Sequence, residues 1–241
     1  HDTIQGGISF CHYLCSAATL GIILLDKTTK KPKEVSNTHV IYNVDNPGGE
    51  CSKIGDPQLQ PGPYDGGKDP GDRVGNGERY IELTGAYPGG IGDAACATVN
   101  DARPAKIAEI LHLGKIKGIK EPELGMTLKG CCRNGDFETT IFDRAAMVQV
   151  GGLGCKRGDQ YAILQKQVMY RPGLGPGSSG TCMVSEDGYA VVLNSFGNGG
   201  PGSGEGGGCW FTEIMDPLNL TFEEGPPPPP PPEGEFEYSL D

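Results

Sequence analysis

The stretch Pro176-Gly177-Ser178-Ser179-Gly180-Thr181 decides how the rest of the chain is read, because two earlier stretches give it a chemical meaning. They are Ser36-Asn37-Thr38-His39-Val40 and Ile91-Gly92-Asp93-Ala94-Ala95. A serine hydroxyl is a weak nucleophile at neutral pH and needs a neutral imidazole to take its proton as it attacks. His39 is the candidate base, and afterwards the acid that protonates a leaving amine. Asp93 is the candidate that fixes the imidazole tautomer and stabilises the imidazolium. The acyl-transfer intermediate carries an oxyanion, and the backbone N–H groups of Gly177 and Ser179 are candidates to hold it, since glycine lets a turn aim its amides inward. Each stretch alone has a plainer account. Gly-x-Ser-Gly and Gly-Asp are common turns in a chain with 40 glycines, and His39 follows two turn-forming residues. Together the three point to acyl transfer.

The order His…Asp…Ser is that of the chymotrypsin type of double β-barrel and differs from the two other orders in which the same constellation occurs. Composition agrees with an all-β chain: 40 glycines and 20 prolines in 241 residues imply many turns and few long helices. Short apolar runs bounded by turn residues recur at 21–25, 38–43, 79–83, 139–142, 145–150, 160–164 and 189–193, the pattern of antiparallel strands. Only 105–113 reads as a helix, with Ile107, Ile110 and Leu111 at helical spacing after Pro104. The expected organisation is an N-terminal barrel over 1–115 carrying His39 and Asp93, a C-terminal barrel over 116–222 carrying Ser179, and an acidic polyproline tail over 223–241.

Longer strings around these residues carry a family resemblance. Ala18-Thr19-Leu20-Gly21 precedes an apolar strand and Ser36-Asn37-Thr38-His39-Val40; then comes the run from Gly55 to Gly67, GDPQLQPGPYDGG, its most specific part. With Gly92-Asp93-Ala94-Ala95 and Pro176 to Gly180, this succession resembles the trypsin-like peptidases related to the plant NARROW LEAF 1 protein, over most of residues 7–216. The resemblance implies a chymotrypsin-like fold with His39, Asp93 and Ser179 as the triad. In chymotrypsin-like enzymes a Ser-aromatic-Gly edge similar to Ser195-Phe196-Gly197, after Asn194, pairs with a substrate backbone by strand addition, which makes Phe196 and Gly197 candidates for a substrate edge; the plainer account is an ordinary strand end. The chain departs from the family at two places. Ser178 stands where an aspartate usually precedes the nucleophile, which removes a carboxylate that could brace the loop. Cys131-Cys132-Arg133-Asn134-Gly135-Asp136-Phe137 replaces a Gly-Arg-Thr-Thr-Gly stretch.

Charge excludes some functions. With 31 acidic against 20 basic residues the net charge is −11, and no basic stripe offers a nucleic-acid surface. The four lysines of 27–33 read as a solvated hairpin loop, and no apolar run is long enough to span a membrane. An N-terminal histidine can chelate copper, yet neither His12 nor His112 stands at a spacing that completes a site, so no metal and no other cofactor is expected. Among nine cysteines, Cys11 and Cys15 could bridge locally or form half a metal site, and vicinal Cys131 and Cys132 would take separate partners. The odd count leaves at least one thiol free or bound to another chain. With the sequon Asn219-Leu220-Thr221 and a start at His1, which reads as a processed product, the cysteines lean toward an oxidising, extracellular compartment.

The tail differs in kind. Seven prolines, Pro226 to Pro232, form a polyproline II rod of roughly 22 Å at about 3.1 Å per residue. Beyond it acidic residues alternate with Phe236, Tyr238 and Leu240. Alone in water such a segment is disordered; docked on a neighbouring copy it would build a homo-oligomer or filament, and folded back it would cover its own barrel. Two functions from different classes follow. One is a serine endopeptidase acting on a peptide or protein. The other is a catalytically weak or inactive protease-shaped building block that assembles through residues 223–241.

Overall fold

The strands of the first half, in chain order, are β1 (Ile4–Gly6), β2 (Cys11–His12), β3 (Ile22–Asp26), β4 (Pro32–Ser36), β5 (Pro57–Leu59), β6 (Arg73–Tyr80), β7 (Ala95–Thr98), β8 (Ala105–Ile110) and β9 (Gly114–Lys115). The second half supplies β10 (Thr127–Cys132), β11 (Gly135–Gly151), β12 (Tyr161–Arg171), β13 (Cys182–Ser185), β14 (Ala190–Asn198), β15 (Glu205–Trp210) and β16 (Leu220–Thr221). Two four-residue helices, α1 (Thr38–Ile41) and α2 (Phe211–Ile214), punctuate them. This is a computed structural model, and it describes residues 2–42, 52–151, 161–198, 200 and 202–222. The polyproline tail, Cys51 and Cys155 lie outside the described residues.

The second half closes into a barrel in the order β10-β11-β12-β15-β14-β13, with β13 pairing back to β10. The first half is a seven-stranded sheet, β16-β3-β4-β7-β6-β5-β2, beside a small β1-β8-β9 sheet. β16 comes from the far end of the chain and pairs antiparallel with β3. β3 is buried along its whole length because it lies between β16 and β4, which is why it reads as an unbroken apolar run, Ile22-Ile23-Leu24-Leu25. A core continuous across both halves packs Ile22, Leu24 and Val35 against Cys182, Leu193 and Phe211. Each fully buried aliphatic side chain there stabilises the fold by about 1.5–3 kcal/mol.

The structure corrects several local expectations. The run 105–113 is not a helix: β8 pairs parallel with β1, and between Ile4↔Ala105 and Gly6↔Ile110 its register gains three residues. Ala108, at φ +55°, forms that bulge, and the inserted residues give Ile107, Ile110 and Leu111 a helix-like spacing. The run 38–43 is not a strand, since Thr38–Ile41 make one helical turn, and in 79–83 the strand stops at Tyr80. The lysine-rich hairpin between β3 and β4 is closed by Asp26, whose carboxylate accepts from the N–H groups of Thr28 (2.9 Å) and Thr29 (2.7 Å). Lys33 is not solvated; it is buried and paired with Glu78. Cys11 and Cys15 form a disulfide. Among the described residues Cys131 and Cys132 have no disulfide partners and are buried free thiols, as are Cys96, Cys182 and Cys209.

Candidate active site

His39 and Asp93 meet directly. β4 delivers the chain to Asn37, whose extended backbone turns it into α1. Asn37 Nδ2 donates to Asp93 O (2.7 Å) and to Ser195 Oγ (3.1 Å), tying three segments together. Thr38 Oγ1 donates to Ile81 O or Ala94 O, each at 2.8 Å. The helical turn then brings the His39 N–H within 3.1 Å of Asp93 Oδ1, and the ring Nδ1 within 2.5 Å of Oδ2. One carboxylate thus satisfies an orphan N–H of the first helical turn and orients the imidazole. Asp93 is fully buried while the His39 ring is 17% exposed, so the ring's other edge is the one that can reach a ligand. Cys209 is buried nearby, and that burial, with the charge of Asp93, pushes its thiol up to about 12.

Ser179 sits in a turn held from outside by its carbonyls. Ser179 O accepts from Thr19 N (2.9 Å), and Gly177 O from Thr19 Oγ1 (2.9 Å). Asn134 Nδ2 donates to Pro176 O (2.9 Å). A trans peptide sets its N–H opposite its C=O, so this bond turns the Gly177 N–H the other way. Ser178 O accepts from Thr181 N (3.1 Å), Thr181 Oγ1 (2.6 Å) and Asn194 Nδ2 (2.8 Å), which fixes the Ser179 N–H in the same manner. Neither of these two N–H groups donates to any described residue. No hydrogen bond among the described residues joins Ser179 to His39 either.

The turn requires glycine at two points. Gly177 is at φ +88°, and a Cβ there would lie 2.8 Å from Arg133 Nη1. Gly180 is at φ +87°, and a Cβ there would lie 2.0 Å from Ser36 Oγ, while one on Gly21 would lie 2.4 Å from Gly180 O. The two halves therefore meet backbone to backbone beside the Ser179 turn.

Ser178, next to Ser179 in the chain, is 4% exposed and belongs to a neutral buried network. Its hydroxyl donates to Gly175 O (2.6 Å) and accepts from Asn194 Nδ2 (3.2 Å). Asn194 Oδ1 accepts from the Tyr170 hydroxyl (2.5 Å), which burial holds protonated by raising it above the usual phenol range. A second brace is charged: Arg133, against Gly177, forms a bidentate pair with Asp65 (2.6 and 2.8 Å) and lies over the Tyr64 ring. Arg133, through its side-chain hydrogen bonds, holds the Asp65 carboxyl below the usual carboxylate range.

Phe196 and Gly197 lie on β14. One edge of β14 pairs with β15 through Phe196↔Gly207 and Gly197↔Gly206; pairing with β13 on the other edge ends at Leu193. Ser195 is the bulge between, and its hydroxyl is the one bound by Asn37. Past Asn194 the outer edge of β14 faces no described strand, and it begins next to the His39 turn.

Thr19, Asp65, Arg133, Asn134, Tyr170 and Asn194 were not singled out by the sequence. Thr19 and Asp65 did lie inside the strings that carried the family resemblance, Arg133 and Asn134 inside the stretch that departed from it, and Asn194 at the head of the candidate substrate edge; Tyr170 gave no signal of its own.

Solved structures with this fold include a Nocardiopsis protease (17% identical, covering 90% of this chain and 97% of that one, TM-score 0.62). A chymotrypsin of Cellulomonas bogoriensis is similar (14%, 90% and 97%, TM-score 0.60), as is the α-lytic protease homologue N4 (16%, 92% and 100%, TM-score 0.61). The chain has the fold of the chymotrypsin-like serine proteases. No protein-family model and no curated protein matches it.

Proposed function

We propose that this chain is a serine endopeptidase, kin to the trypsin-like peptidases around NARROW LEAF 1. The observation that carries the reading is the 2.5 Å contact of His39 Nδ1 with a fully buried Asp93, beside a turn whose two N–H groups have no described acceptor. Asp93 accepts from Nδ1–H, which leaves the Nε2 lone pair free to act as base. Ser179 Oγ attacks the peptide carbonyl while His39 takes its proton, the His39–Ser179 hydrogen bond forming as substrate expels water. The Gly177 and Ser179 N–H groups receive the oxyanion, each contributing about 3–4 kcal/mol to the transition state. His39 then protonates the leaving amine, and water repeats the sequence on the acyl-enzyme. Phe196 and Gly197 align the substrate backbone by strand addition.

The test is labelling with a fluorophosphonate, read by intact mass, on wild type beside Ser179→Ala and His39→Ala. One label per chain, lost in both variants, is the expected result. A folded wild type that takes no label overturns the reading and leaves the protease-shaped building block. Assembly rests on the composition of residues 223–241, with an extracellular setting supported by the Cys11–Cys15 disulfide. Sedimentation velocity at micromolar concentration is expected to show an oligomer that becomes a monomer when Gly225–Asp241 is removed; a monomer in both forms refutes it.

A further inference from the structure

Three side chains that the proposed mechanism does not use converge on one point. Cys131 on β10 and Asp136 on β11 are direct cross-strand partners, so their side chains share a face. His112, in the turn between β8 and β9, reaches over both. Its Nδ1 lies 2.9 and 3.0 Å from the two Asp136 oxygens and 4.0 Å from Cys131 Sγ. One donor atom from each residue falls within 4.8 Å of the others.

The convergence distinguishes two kinds of site. A thiol–imidazole–carboxylate relay engages the two ring nitrogens separately, one for each partner. Here both partners address the same Nδ1, which is how ligands face a shared cation. A tetrahedral zinc-type ion, with bonds near 2.0–2.3 Å, sets its ligand atoms roughly 3.3–3.7 Å apart. The observed separations lie on either side of that range. The two outer ligands are free to adjust, since the His112 and Asp136 side chains are 59% and 61% exposed, whereas Cys131 is fixed at the core edge. Thiolate, imidazole and a single carboxylate favour a borderline-soft ion over magnesium or calcium.

We propose that His112 Nδ1, Cys131 Sγ and one Asp136 oxygen bind a single divalent cation of the zinc type, with water in the fourth position. The expectation of no metal ligand rested on sequence spacing, which cannot see a turn of one sheet folded over a hairpin of the other half. On binding, the Cys131 thiol loses its proton to solvent as the sulfur–metal bond forms. The neutral imidazole carries its proton on Nε2, freeing Nδ1. One proton leaves for each ion bound.

The experiment is a titration of the chain, with its Cys11–Cys15 disulfide kept intact and its free thiols protected from oxidation, with cobalt(II) in the absence of oxygen. One equivalent bound, with a thiolate-to-cobalt charge-transfer band, is the expected result. Cys131→Ser should abolish the band, and His112→Gln and Asp136→Asn should each weaken binding by at least about 10–100-fold. Both of the latter are surface changes, so they decide the matter even if Cys131→Ser does not fold. A wild type without the band, a folded Cys131→Ser that keeps it, or surface variants that bind cobalt as tightly as wild type would each overturn the site.

Discussion

The His39 side and the Ser179 side of the candidate site are built by opposite means. His39 and Asp93 touch through their own side chains, and the residues that set them up, Asn37 and Thr38, are next to His39 in the chain. Ser179 is positioned largely by others: Thr19, Asn134 and Asn194, from three separate segments, together with Thr181 of the turn itself, hold the carbonyls of Pro176, Gly177, Ser178 and Ser179. An acid–base pair needs one short contact. An oxyanion hole needs two peptide planes held at fixed angles, and a plane is held most firmly by its carbonyl when its N–H must stay free for the substrate.

Breaking the direct contact should have the largest effect. Asp93→Asn is expected to cut the fluorophosphonate labelling rate by about 10⁴-fold while the protein stays folded, because the ring loses the acceptor that fixes its tautomer. Gly177→Ala is the corresponding break on the other side. It strains a left-handed residue and drives a methyl into Arg133, so the labelling rate should fall about 10²–10³-fold with His39 and Asp93 untouched. Asn194→Ala leaves the Tyr170 hydroxyl and Ser178 short of partners; urea unfolding should show a loss of about 1–3 kcal/mol.

The smallest effect belongs to the charged brace. Because Arg133 holds Asp65 below its unfolded value, the unfolded chain takes up that proton first as the pH falls. The pair's contribution, about 0.5–1 kcal/mol, is complete above roughly pH 4 and lost below it. Asp65→Asn should therefore match wild type in stability near pH 2, and fall below it by that amount at pH 7. A variant that tracks wild type across the whole range would show that the pair braces nothing.

The same division explains what the sequence disclosed. His39, Asp93 and Ser179 stood out as candidates because residue type and chain order suggest acyl-transfer chemistry, and the strands because burial leaves apolar runs. The bulge at Ala108 hid a strand, since three inserted residues imitate a helical period. What Ser178 bonds to was not legible, because its partners are distant in sequence or are carbonyls. Its hydroxyl bonds Gly175 O and Asn194, and Asn194 in turn bonds Tyr170 from another strand. Bonds to carbonyls leave little trace in a sequence, because every residue has a carbonyl and many side chains can donate to it.

β16 carries a consequence for how the molecule would survive damage. Leu220 and Thr221 lie at the end of the second half yet form an edge of the first half's sheet, and Leu220 is buried in the shared core. A single cut in the connection between β9 and β10 would sever the covalent link and leave the clasp intact. The two fragments should remain a non-covalent pair, and separately expressed pieces ending and starting there should reconstitute the whole by complementation. Removing residues 220–222 from the second piece should abolish that reassembly.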